Sequence, residues 1–103
     1  MSTFTETVDS AALAEFCRRW KIRRLELFGS VLDKGMEEAH DVDFLYEFEP
    51  DAKIGFEFVA LCEELEELIG KPVDMISRRA VEESRNDIRR KAILSSTRLV
   101  YES

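Results

Sequence analysis

Apolar and polar positions change period several times along these 103 residues, and each change marks an element. Leu13, Phe16, Cys17 and Trp20 recur at helical spacing; Asp9 or Ser10 can cap the helix they predict, which runs to about Trp20. Leu25 and Leu27 then alternate with Glu26 and Phe28, which predicts a strand over residues 22–28. The cleanest alternation follows. Val42, Phe44, Tyr46 and Phe48 share one face of a second predicted strand, and Asp41 and Asp43 fall on the other. This puts the helices behind the sheet and the polar chemistry in front. Pro50 and Asp51 break the pattern. Phe58, Cys62, Leu65 and Ile69, widened by Leu61 and Leu68, predict a helix over residues 55–69, and Gly70 supplies its stop.

Residues 71–76 read as a short third strand, with Pro72 tolerated at its beginning. Val73 and Met75 share one face and Asp74 points to the other. A mostly polar helix is expected over residues 80–94, with Val81, Ile88 and Ala92 as a thin apolar edge. Leu99, Val100 and Tyr101 return as a terminal strand or pack down on the sheet. Helices and strands thus alternate, which points to an α/β or α+β arrangement.

Composition narrows the class. A chain of this length with 45% apolar residues supports one folded domain over residues 1–103, with residues 1–8 expected to fray. No apolar run approaches the roughly 20 residues that span a bilayer, and no basic-then-apolar leader opens the sequence, so a cytoplasmic protein is expected. Cys17 and Cys62 lie on predicted apolar helix faces and read as reduced core residues. His40 is the single histidine, which excludes a histidine triad or a multi-histidine metal site.

Net charge is −7 with a pI near 4.8, which disfavours direct nucleic-acid binding; no membrane partner is expected either, for want of such an apolar run. The charge is uneven. Between Arg78 and Lys91 stand six basic residues (Arg78, Arg79, Arg85, Arg89, Arg90 and Lys91) against Glu82, Glu83 and Asp87. That stretch reads as a solvated helix face with ion pairs, or as a contact for a partner or a phosphate.

The candidate chemistry lies at strand ends. Gly29-Ser30 sits where the first strand gives way to a short helix-prone run, a place where backbone N–H groups can hold a phosphate. Asp41 and Asp43 project to one side of the second strand, and two neighbouring carboxylates repel unless a cation lies between them. If the third strand lies beside the second, Asp74 completes a three-carboxylate cluster. All-oxygen ligation of this kind suits Mg²⁺, which keeps waters and takes its other ligands from substrate phosphates. Glu47 shares the acid side but is roughly 13 Å beyond Asp43 at strand rise, too far for the same metal.

In combination, Leu27-Phe28-Gly29-Ser30-Val31-Leu32, Asp41-Val42-Asp43-Phe44-Leu45 and Val73-Asp74-Met75-Ile76 resemble the minimal nucleotidyltransferase (MNT) family of the DNA polymerase beta-like nucleotidyltransferase superfamily. The resemblance spans about residues 22–76. It implies a polymerase beta-like fold, a small mixed β-sheet with helices packed on one face. It further implies that Gly29 and Ser30 bind the nucleoside triphosphate and that Asp41, Asp43 and Asp74 are the catalytic residues and hold Mg²⁺, two ions being expected. Many such proteins neutralise a HEPN-domain toxin, in some cases by transferring AMP onto a toxin tyrosine. Two positions depart from the pattern. Asp33 stands where relatives commonly carry Arg, and His40 where they commonly carry Ser; an acid near the triphosphate is expected to weaken nucleotide binding.

The leading reading is therefore a Mg-dependent protein adenylyltransferase that moves AMP from ATP to a hydroxyl, expected to be a tyrosine, of a HEPN-type toxin and so acts as its antitoxin. A domain this small has little surface for an acceptor pocket of its own, so a partner protein or a second copy is expected to present the hydroxyl, in a homo- or hetero-oligomer. The alternative is a non-catalytic antitoxin that neutralises the toxin by docking alone. Transfer to a small molecule such as an aminoglycoside would need an acceptor-binding domain.

Overall fold

A computed structural model describes residues 10–35 and 37–103. The expected fraying of residues 1–8 and the capping role of Asp9 lie outside the described residues. Among the described residues nine elements follow in order: α1 Ser10–Arg19, β1 Ile22–Phe28, α2 Ser30–Lys34, β2 Val42–Phe48, α3 Glu57–Ile69, β3 Val73–Ser77, α4 Arg78–Glu82, α5 Asp87–Leu94 and β4 Thr97–Glu102. The strands form one sheet in the order β3-β2-β1-β4. β1 is antiparallel to both β2 and β4, while β2 and β3 run parallel, joined by the α3 crossover.

The alternation read along β1 and β2 sets the core. Leu25, Leu27, Val42 and Phe44 are fully or almost fully buried against Leu13, Phe16 and Cys17 of α1 and Leu61, Leu65 and Ile69 of α3. Arg19 and Trp20 at the end of α1 both donate to Glu64 of α3, which clamps the two helices together. Gly70 ends α3 in the left-handed conformation (φ 82°, ψ 14°), where its N–H donates to the Glu66 carbonyl.

Helices α1 and α3 back this face as expected, but α4 and α5 take the other face. Phe28, Leu45 and Val81 form a second buried cluster there, joined by Ile76, Ile93 and Leu94. The single helix expected over residues 80–94 is in fact two. Ser77 caps α4 by accepting from the Ala80 N–H (3.3 Å), and Asn86 caps α5 by accepting from the Arg89 N–H (3.0 Å). Ser84 Oγ accepts from the Asn86 N–H (3.2 Å), so the chain turns rather than continuing as helix. The tail resolves to a strand: β4 covers the outer edge of β1.

Both cysteines are free. Burial pushes the Cys17 thiol up to about 12 and raises that of Cys62, so both behave as packing groups. No helix among the described residues is long and apolar enough to cross a membrane.

Candidate active site

The register of three strands brings the acids together. Asp43, one residue into β2, lies opposite Phe28 on β1 and directly beside Asp74 on β3. Paired residues in parallel strands project to the same face. Asp43 and Asp74 share the parity of Leu45 and Ile76 in the second cluster, so both carboxylates stand on the sheet face opposite α1 and α3. Asp41 precedes the strand and is exposed, as is Asp74, while Asp43 is half-buried.

Electrostatics report the same grouping. Burial raises the Asp43 carboxyl above its ordinary value, and the charges of Asp74 and then Asp41 raise it further. Among the described residues, no three His, Cys, Asp or Glu side chains are grouped as a site that could hold a metal ion as they stand. The arrangement is instead open: carboxylate oxygens that repel one another, with solvent on one side. That donor set fits Mg²⁺, which accepts a few carboxylates and fills the rest of its shell with water and phosphate oxygens.

Gly29 follows Phe28 and so lands above Asp43. Its backbone is in the left-handed region (φ 81°), and a Cβ there would come 2.5 Å from Asp43 Oδ2. Glycine is required both for the turn and for the close approach. Ser30 is the first residue of α2 and is exposed. Its neighbour Val31 is buried and fixes the short helix to the core, while Asp33 and Lys34 point to solvent.

The loop before Asp41 is tied down from the segment that leads into β3. Lys71 Nζ donates to the carbonyls of Ala39 (2.7 Å) and Glu37 (3.0 Å). Ala39 is 3% exposed and joins the main core, so it anchors this loop. His40 is exposed beside Asp41.

Sequence reasoning missed Glu26. It is 2% exposed and is the buried charged residue of the described chain. Arg78 Nη1 donates to its Oε1, Thr97 Oγ1 to its Oε2 (2.8 Å), and Arg24 Nε stands 3.1 Å from Oε1. One carboxylate thus ties β1 to β4 and to the start of α4, directly after the strand that carries Asp74. A lone acid in the run Leu25-Glu26-Leu27-Phe28 was the available signal.

Fold and site together define a nucleotidyltransferase domain, and the family model of that description matches residues 10–100. Protein adenylyltransferase MntA of Thermococcus cleftensis is 33% identical over 73 residues, 71% of this chain and 73% of its own. A solved structure named for a minimal nucleotidyltransferase is 28% identical with a TM-score of 0.65, over 94% of each chain. The chain belongs to the minimal nucleotidyltransferases, within the nucleotidyltransferase domain family. The fold recurs in an MNT antitoxin complex with a tri-AMPylated HEPN toxin from Shewanella oneidensis, at 16% identity and a TM-score of 0.59, covering 91% of this chain and 70% of that one. Two Methanocaldococcus jannaschii relatives, 31% and 35% identical over 61% and 58% of this chain, are matched over 64% and 63% of their own length.

Proposed function

We propose that this protein transfers AMP from ATP to a tyrosine hydroxyl of a HEPN-type toxin and thereby acts as its antitoxin. The observation that carries the proposal is the strand register: Asp43 and Asp74 lie side by side, under Gly29, with the Asp43 carboxyl raised first by burial and then by Asp74 and Asp41. Such repulsion is unfavourable in the free protein and favourable once positive charge is bound. The name of the Thermococcus relative and the AMPylated toxin in the Shewanella complex support the reaction and the partner class.

In this reading Gly29 lets the triphosphate approach the backbone, and Ser30 donates its hydroxyl and N–H to the outer phosphates. Asp41, Asp43 and Asp74 hold Mg²⁺. Bound there, the metal supplies neutralisation of the triphosphate and of the leaving pyrophosphate. Asp74, exposed on the outer strand, accepts a hydrogen bond from the incoming hydroxyl and orients it. The acceptor oxygen forms a bond to the α-phosphorus, the α–β bridging bond breaks, pyrophosphate leaves, and the hydroxyl proton passes to solvent by way of the Asp74 carboxylate. Positioning and charge compensation carry the rate, with no covalent enzyme intermediate.

The test is incubation with α-labelled ATP and MgCl₂, with and without the co-expressed HEPN protein. Label on the toxin that disappears with EDTA is expected. A toxin that is neutralised in the complex yet never labelled would leave docking as the function.

A further inference from the structure

Below the acids, on the same face, a cleft with room for about 190 Å³ opens between β3, α4 and α5. Ile76, Val81 and Ile93 form its floor, Ala80 stands at one wall, and Arg89 and Arg90 line the rim. This is too small for a nucleotide and suits one apolar side chain. Arg90 is already committed to Asp87 and to the Ser84 carbonyl (2.7 Å). The Arg89 guanidinium has no hydrogen bond or ion pair among the described residues and is exposed.

Ile76 lies two residues beyond Asp74, roughly 6–7 Å along the strand. β3 is an edge strand. The Val73 N–H donates outward to Glu66 Oε2 (3.0 Å), whereas the Pro72 carbonyl faces β2 and accepts from the Val42 N–H. The main-chain groups of Met75 therefore face outward as well. An extended segment laid along this edge repeats the spacing of β3. With its hydroxyl residue beside Asp74, its side chain two positions away falls over the cleft.

We infer that the cleft of Ile76, Val81, Ile93 and Arg89 is the acceptor subsite: it takes an apolar side chain two residues from the modified hydroxyl, on a protein segment that carries a carboxylate for Arg89. The inference rests on the transferase reading for the identity of the hydroxyl, but not for binding. Charge complementarity selects the occupant. The chain carries a net charge of −7, yet Arg89, exposed at this cleft, is a cation with no carboxylate partner among the described residues.

The probe is a set of fluorescent synthetic peptides: one with tyrosine, leucine two residues on and glutamate adjacent, one with lysine for the glutamate, and one with alanine for the leucine. Anisotropy is read without ATP. The glutamate–leucine peptide is expected to bind about fivefold more tightly than either variant. Arg89→Glu should invert the charge preference, and Ala80→Phe, which fills the cleft, should remove the leucine preference. Equal binding of all peptides, absence of binding, or an Arg89→Glu protein with unchanged preference would overturn the subsite. Discriminating binding without gain of AMP mass, in ATP and MgCl₂, leaves the subsite standing and counts against transfer alone.

Discussion

Asp43 is held between a backbone that packs it and two acids that repel it. Because its folded carboxyl is raised above 3.8, the native state binds a proton more tightly than the unfolded chain does. Its contribution to stability is therefore most favourable below 3.8, is lost as pH climbs through the raised value, and remains a penalty at neutrality. Asp43→Asn should melt a few degrees higher than the wild type at pH 7, with the difference gone at pH 3. MgCl₂ should raise the melting temperature of the wild type and not of the variant. Equal melting at pH 7 would mean that neither burial nor the neighbouring acids disfavour the ionised Asp43 carboxylate.

Gly29 and Ser30 separate differently. Any side chain at Gly29 meets both a left-handed backbone and the Asp43 carboxylate, so its loss confounds binding with folding. Ser30 is exposed and its side chain has no hydrogen bond among the described residues, so Ser30→Ala isolates the ligand contact. Titration calorimetry should show ATP affinity reduced about tenfold, as for loss of one charged hydrogen bond, with stability unchanged. Unchanged affinity would remove Ser30 from the phosphate site.

At the scale of elements, what periodicity reports is what the sequence made legible. β1, β2 and α3 were readable because each alternates or repeats against one large core, and Asp43 and Asp74 took their faces from that alternation. Their adjacency was conditional, since nothing local says which strand is whose neighbour; the α3 crossover decides it. The second face was not readable. Phe28, Leu45 and Val81 come from three distant segments, and α5 has no buried residue, so its period is too weak to show a break at Ser84–Asn86. Glu26 was hidden for the same reason: its partners Arg78 and Thr97 are remote in sequence. Glu26→Ala should leave Arg78 with Glu82 alone and loosen α4 from the sheet, at a cost of about 3 kcal/mol in denaturant unfolding. A loss below about 0.5 kcal/mol, as for an ordinary surface substitution, would show that the network does not hold α4.

The molecule as a whole places its chemistry at one end of a four-stranded sheet, with acids on two adjacent strands and a glycine turn on the third. One face is spent on the core. The other offers an open carboxylate site and a small basic-rimmed cleft, so the second substrate has to bring most of its own surface. That economy is the physical reason to look for a protein acceptor. The central claim is tested most directly by the intact mass of the HEPN toxin after co-expression with this protein, or with its Asp43→Asn variant. The account predicts toxin heavier by whole AMP units beside the wild type and unmodified toxin beside the variant. Toxin of unmodified mass in both samples, or equal AMP gain in both, would contradict it.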